Sequence, residues 1–162
     1  MDVLIQQMRA AKADLGLARH ICVALQRCAV AGPMPPKAAR SLRHIIDELL
    51  LQPPPKPQAE IWFASAEQGI NTLFAVSTSP EDACTDLLNR MASSIAPTSP
   101  SGGEAGDGDG EGMKPVDSDG MARFLFALGH VAIKMLVRIE ACEKQLAKHR
   151  QALVDKAEAA GG

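Results

Sequence analysis

The feature that most constrains the fold is an apolar run late in the chain, "FLFALGHVAIKMLVRIE", Phe124 to Glu140. A run of this kind either crosses a bilayer or sits among other helices. A bilayer crossing needs about 20 apolar residues. Here Arg123 and Lys134 close an uncharged stretch, Phe124 to Ile133, of only ten residues. Length therefore argues against a membrane. The polar residues are also ordered in space: Arg123, His130, Lys134 and Arg138 follow one another at steps of seven, four and four. At about 100° per residue they share a stripe roughly 80° wide. Phe124, Leu125, Leu128, Val131, Ile133 and Leu136 make the rest of the circumference apolar. The pattern predicts a helix buried on several sides, which asks for more neighbours than a chain this short supplies.

The rest of the chain points the same way. Among 162 residues there is no Tyr and one Trp, and no run alternates β-branched with polar residues. Ala, Leu, Arg, Gln and Glu fill the periodic segments, which predicts an all-α fold. Helices are expected over 2–14 and 17–30, parted at Gly16. Further helices are expected over 37–51, 59–77, 80–95, and from about 121 to 159. The second should bury Leu17, Ile21, Ala24, Leu25 and Cys28; the third Leu42, Ile45, Ile46, Leu49 and Leu50; the fourth Trp62, Ala66, Ile70, Leu73 and Phe74. Gly69 inside the fourth suggests close approach by a neighbouring helix. "GPMPPK" and "QPPPKPQ" stop helices and stiffen connections. Ser79 followed by Pro80, Glu81 and Asp82 is a strong helix start.

Residues 96–120 change character: Gly, Ser, Pro and acid, with almost nothing to bury. They predict a disordered acidic linker between helical repeats at 1–95 and a last helix at 121–159, buried first and then exposed. "GDGDGEG" lacks the spacing and the bidentate Glu of a calcium loop. Ser99 and Ser101, beside Pro97 and Pro100, are places where phosphate would add charge. The net charge of −2 is uneven, with about −5 over 93–120 and +3 over 121–162. No segment is basic enough to claim nucleic acid on charge alone.

The four cysteines lie within apolar helical patterns and read as buried free thiols; none forms C-x-x-C. His20, His44, His130 and His149 do not cluster, and His130 reads as a helix histidine bonded locally. No phosphate-binding loop, nucleophile elbow or H-E-x-x-H occurs. No catalytic residue, metal ligand or cofactor site is expected, nor a small-molecule substrate. The N-terminus has no basic segment leading into an apolar core and is not expected to be a signal peptide.

Helical pairs joined by Pro-rich turns suit an α-solenoid of the HEAT type, whose repeats run about 40 to 47 residues. The expected pairing is 17–30 with 37–51, then 59–77 with 80–95, a fragment of about six helices. At three places the chain resembles the condensin complex subunit 1 family, the HEAT-repeat non-SMC subunits of condensin I. These are "RFLFALGHVAIKMLVRIE" (Arg123–Glu140), "EIWFASAEQGINTLFAVSTSPEDACTDLL" (Glu60–Leu88) and, more weakly, "LARHICVALQRCA" (Leu17–Ala29). Their order agrees with the family, as does a polar insert before the last. The resemblance covers about half the chain and implies an internal piece of a non-enzymatic scaffold. Its implied partners are the condensin kleisin and SMC subunits, with DNA or chromatin engaged by the full complex. Its implied setting is the nucleus and the mitotic chromosome, with a cytoplasmic pool as well. Basic residues of the last helix, Arg123, Lys134, Arg138, Lys144, Lys148 and Arg150, are the candidate contacts with phosphates or an acidic partner. The alternative is a small self-contained helical adaptor for protein–protein interaction.

Overall fold

The fold was analysed in a computed structural model of the chain, which describes residues 2–11, 14–54, 58–95 and 117–160. These form α1 (Asp2–Ala10), α2 (Leu15–Ala31), α3 (Pro36–Leu51), α4 (Ala59–Val76), α5 (Pro80–Ile95) and α6 (Ser118–Ala160), with no strand among the described residues. The all-α, HEAT-like expectation holds. The acidic linker expected at 96–120 lies outside the described residues up to 116. Its last three residues are not linker, because Ser118–Gly120 form the first turn of α6.

Local chemistry sets the boundaries. Asp14, in extended conformation, accepts the Leu17 N–H on Oδ1 at 3.0 Å and caps α2. The expected break at Gly16 is thereby corrected: a carboxylate cap outcompetes a glycine, and the helix already begins at Leu15. Proline at the first turn starts α3 and α5, where its missing N–H costs nothing. Glu81 and Asp82 follow in α5, beside the positive end of the helix dipole.

The helices stack in two layers. One holds α2, α4 and α6 in that order, the other α1, α3 and α5, and every substantial helix contact lies within a layer or between adjacent members of the two. The expected hairpin of α2 with α3 is corrected, since the main neighbours of α2 are α4 and α1. Both α4 and α5 begin 44 residues after their counterparts α2 and α3. That is the period of a HEAT-type repeat.

One continuous core joins the layers through fully buried Met8, Leu25, Leu42, Ile46, Trp62 and Leu87, among others. The stripe expected on α3 is buried as written. On α2 the phase is shifted: Leu15, Ala18, Ile21, Cys22 and Leu25 face inward, while Leu17 is exposed. Gly69 is buried, and a β-carbon there would lie 3.3 Å from Ile46 Cγ2. The close approach expected at this glycine is that of α3.

Polar bonds fix the register within each layer. Gln26 Nε2 on α2 donates to Gln68 O (3.2 Å) and Thr72 Oγ1 (3.1 Å) on α4. The buried Thr72 hydroxyl lies 2.7 Å from Gln68 O and 3.2 Å from Cys22 O, and its one proton serves both. Ser65 Oγ reaches Leu15 O at 2.8 Å. In the other layer α3 and α5 are tied by ion pairs, Arg43 with Asp86 and Arg90 with Asp47 at 2.9 Å. Burial pushes the Asp47 carboxyl above its usual range, against the pull of Arg90 and then Arg43. This network therefore fixes geometry more than it adds stability.

Candidate functional site

The run that opened the sequence reading lies in α6, and its packing inverts the expectation. The expected helix, buried on most sides, is corrected: only Ala127 and Val131 are buried among its apolar residues. Leu125, Leu128, Ile133, Leu136, Val137 and Ile139 are 42–62% exposed. The polar stripe faces the protein. Arg123 lies over the Trp62 ring, 5.8 Å from its centroid, and pairs with Asp117 at 3.7 Å. Its side chain is only 13% exposed. Arg138 meets Glu81 of α5 at 3.6 Å. Small residues at the centre, Ala127 and Val131, let α6 approach α4, and the long polar side chains flank that contact.

His130, expected from the sequence to bond locally, bonds instead to a neighbouring helix. Its Nε2 lies 3.2 Å from Asn71 Oδ1 on α4, and its ring stacks on Phe126 at 6.1 Å. Phe126 in turn packs edge-on against Phe63 and Trp62, with centroids 5.2 and 6.3 Å apart. Desolvation lowers the His130 pKa, with Glu67 pulling it up and Lys134 pushing it further down. The neutral ring is favoured, so Nε2 carries the proton and donates to the Asn71 carbonyl oxygen. The sequence pointed to Asn71 in no way, and to Glu81 only as part of a helix start, not as the partner of Arg138. The Trp62-Phe63 pair on α4 and Phe126-x-x-x-His130 on α6 are too far apart in the chain, and each too common a pattern, to single them out.

The six basic candidates separate into two groups. Arg123, Lys134 and Arg138 lie along the docked edge, and the two arginines are engaged there. Lys144, Lys148 and Arg150 stand on the later half of α6, where every described residue beyond Ile139 is exposed. Lys144 pairs within the helix to Glu140 at 4.0 Å. The six do not form one surface.

The cysteine expectation holds for two of four. Cys22 and Cys84 are buried, and burial pushes both thiols up to about 11. Cys28 is half-buried and Cys142 is exposed, because the apolar pattern around Cys142 continues past the point where α4 and α5 cover α6. No group of three metal-ligating side chains occurs among the described residues.

By length and composition α6 is apolar enough to cross a membrane, which corrects the argument from length. Its docked edge speaks for a different role. A charged stripe that meets Trp62 of α4 through Arg123 and Glu81 of α5 through Arg138 positions α6 as the outer member of a layer, with its apolar flank exposed.

Fold and seam together define the class: a HEAT-like stack of helical pairs, open along one apolar helix face. No family model matches the chain. It is similar to condensin complex subunit 1 of Schizosaccharomyces pombe, 28% identical over 152 residues, covering 85% of this chain and 13% of the relative. It is also similar to condensin complex subunit 1 of Saccharomyces cerevisiae, 29% identical over 150 residues, 85% of this chain and 12% of the relative. Condensin-1 complex subunit CAP-D2 of Arabidopsis thaliana is 26% identical over 95 residues, 56% of this chain and 7% of the relative. The chain thus spans about an eighth of the length of the two subunit 1 relatives.

Proposed function

We propose that this chain acts as a non-catalytic scaffold segment of a condensin HEAT-repeat subunit and supports mitotic chromosome condensation on nuclear chromatin. The observation that carries the reading is similarity to condensin subunits over 85% of the chain, in a stack with the repeat length of HEAT proteins. The open apolar flank of α6 supports it further, because an array member leaves such a face for the next helix. On this reading the partners are the condensin kleisin and SMC subunits, and any ATP chemistry belongs to those partners. Lys144, Lys148 and Arg150 are the residues offered to DNA or an acidic partner, since their helix stands clear of the core.

The test is affinity purification of the tagged chain from mitotic cells with quantitative identification of the bound proteins. Enrichment of SMC and kleisin subunits is expected. Their absence, with the tagged chain soluble and folded, contradicts the proposal. Charge reversal at Lys144, Lys148 and Arg150 should weaken DNA binding by the purified chain at low salt and flatten its salt dependence. Unchanged binding removes these three from the site.

A second reading, a self-contained helical adaptor, is favoured by the single core that runs from α1 to α6. A cooperative melt of the isolated chain supports the adaptor when condensin subunits are absent from the purification.

A further inference from the structure

The open side of α6 carries a pattern that the scaffold reading does not use. From Met121 to Leu153 a series of mostly apolar residues recurs at alternating steps of four and three, and all of them but Met135, which packs against the core, are exposed. In heptad terms Leu125, Ala132, Ile139, Leu146 and Leu153 fall at position a, and Leu128, Met135, Cys142 and His149 at d. Ile139, Leu146 and Leu153 are 50–55% exposed. The seam is about 50 Å long at 1.5 Å per residue, and a sustained seven-residue repeat of this kind winds two helices into a left-handed coiled coil. Past Ile139, α6 has no neighbour among the described residues. A lone helix of that length is marginal in water, and an apolar stripe along it needs cover.

The charges beside the seam choose the occupant. In a parallel pair, position g of one helix meets position e of the next heptad on the other. Arg138 at g then faces Glu143 at e, and Gln145 at g faces Arg150 at e. One of these pairs, Arg138 with Glu143, joins opposite charges, and no like charges meet. The surface is complementary to itself. Arg138 is 38% exposed and its pairing with Glu81 is a loose 3.6 Å, so its guanidinium is within reach of a partner. His149 is the one polar residue in the seam, the kind of position that fixes register at some cost in stability.

We propose that the heptad seam of α6 pairs in parallel with the same seam of a second copy of this chain. The pairing is carried mainly by the arms past Ile139, where α6 stands clear of its own core and the described side chains are exposed. The proposal does not depend on the condensin reading and stands or falls separately.

Sedimentation of the full chain at micromolar concentration tests it, with a species of twice 17.1 kDa expected. Leu146→Glu lies on the arm, away from the core, so it leaves the cooperative melt of the core in place. It should raise the dissociation constant at least about tenfold by burying a carboxylate. In a parallel, in-register pair Cys142 faces its own copy. Diamide, taking two electrons and two protons from the two thiols, should then join them as a disulfide, and Cys142→Ser should abolish that band. A monomer throughout, a dimer that L146E leaves intact, a dimer that Cys142 does not cross-link, or heterogeneous aggregates each overturn the proposal.

Discussion

His130 is one of the groups that link the last helix to α4, and the fold favours its neutral form. The pKa is lowered in the fold, first by desolvation and then by Lys134, against Glu67. The unfolded chain takes up the proton near pH 6.5. Stability from the neutral ring is therefore full above that value and is lost as pH falls through the lower, folded pKa. Thermal melts should show a drop between pH 7.5 and 5.5 that His130→Gln largely removes; equal slopes in the two proteins would refute this role. That His130 belonged to a polar stripe was legible from spacing alone. That the stripe faces inward was not, since spacing groups residues on a face without saying which way the face points. Cys142 illustrates the same limit from the other side: an apolar neighbourhood in sequence did not bury it.

At the scale of elements, the sequence carried more. Proline, the Ser-Pro-Glu-Asp start and the apolar periods placed four of six helices within a residue or two. The larger misses are the end of α1, at Ala10 where 14 was expected, and the start of α6, at Ser118 where about 121 was expected and where Asp117 precedes the first turn. Gly69 was read correctly as a point of close approach, because a glycine inside a good helix is costly without a packing reason. Gly69→Val should destabilise the fold by about 2 kcal/mol, as its methyls enter the Ile46 and Leu50 side chains. Chemical denaturation checks this, and a change under half that size would show that α3 and α4 yield easily. Helix pairing was less legible. Consecutive helices were assumed to pack together, whereas the strongest neighbour of α2 is the helix one repeat on, through Gln26, Thr72 and Ser65.

At the scale of the whole molecule, two layers of helices end in a member that is docked by its charged edge and open on its apolar side. The run from Phe124 to Glu140 is apolar nearly all round, and the chain covers one side of it and leaves the remainder exposed. The scaffold reading and the paired seam both follow from that exposure. The measurement that tests it most directly is the labelling rate of single cysteines by a small maleimide, in native protein with Cys28 and Cys142 replaced by serine. Ile133→Cys and Val137→Cys, at positions 60% and 58% exposed and outside the heptad seam, should react about as fast as in denaturant, while Ala127→Cys and Val131→Cys are protected. The reverse order, with Ile133 and Val137 protected and Ala127 and Val131 reactive, would contradict the account.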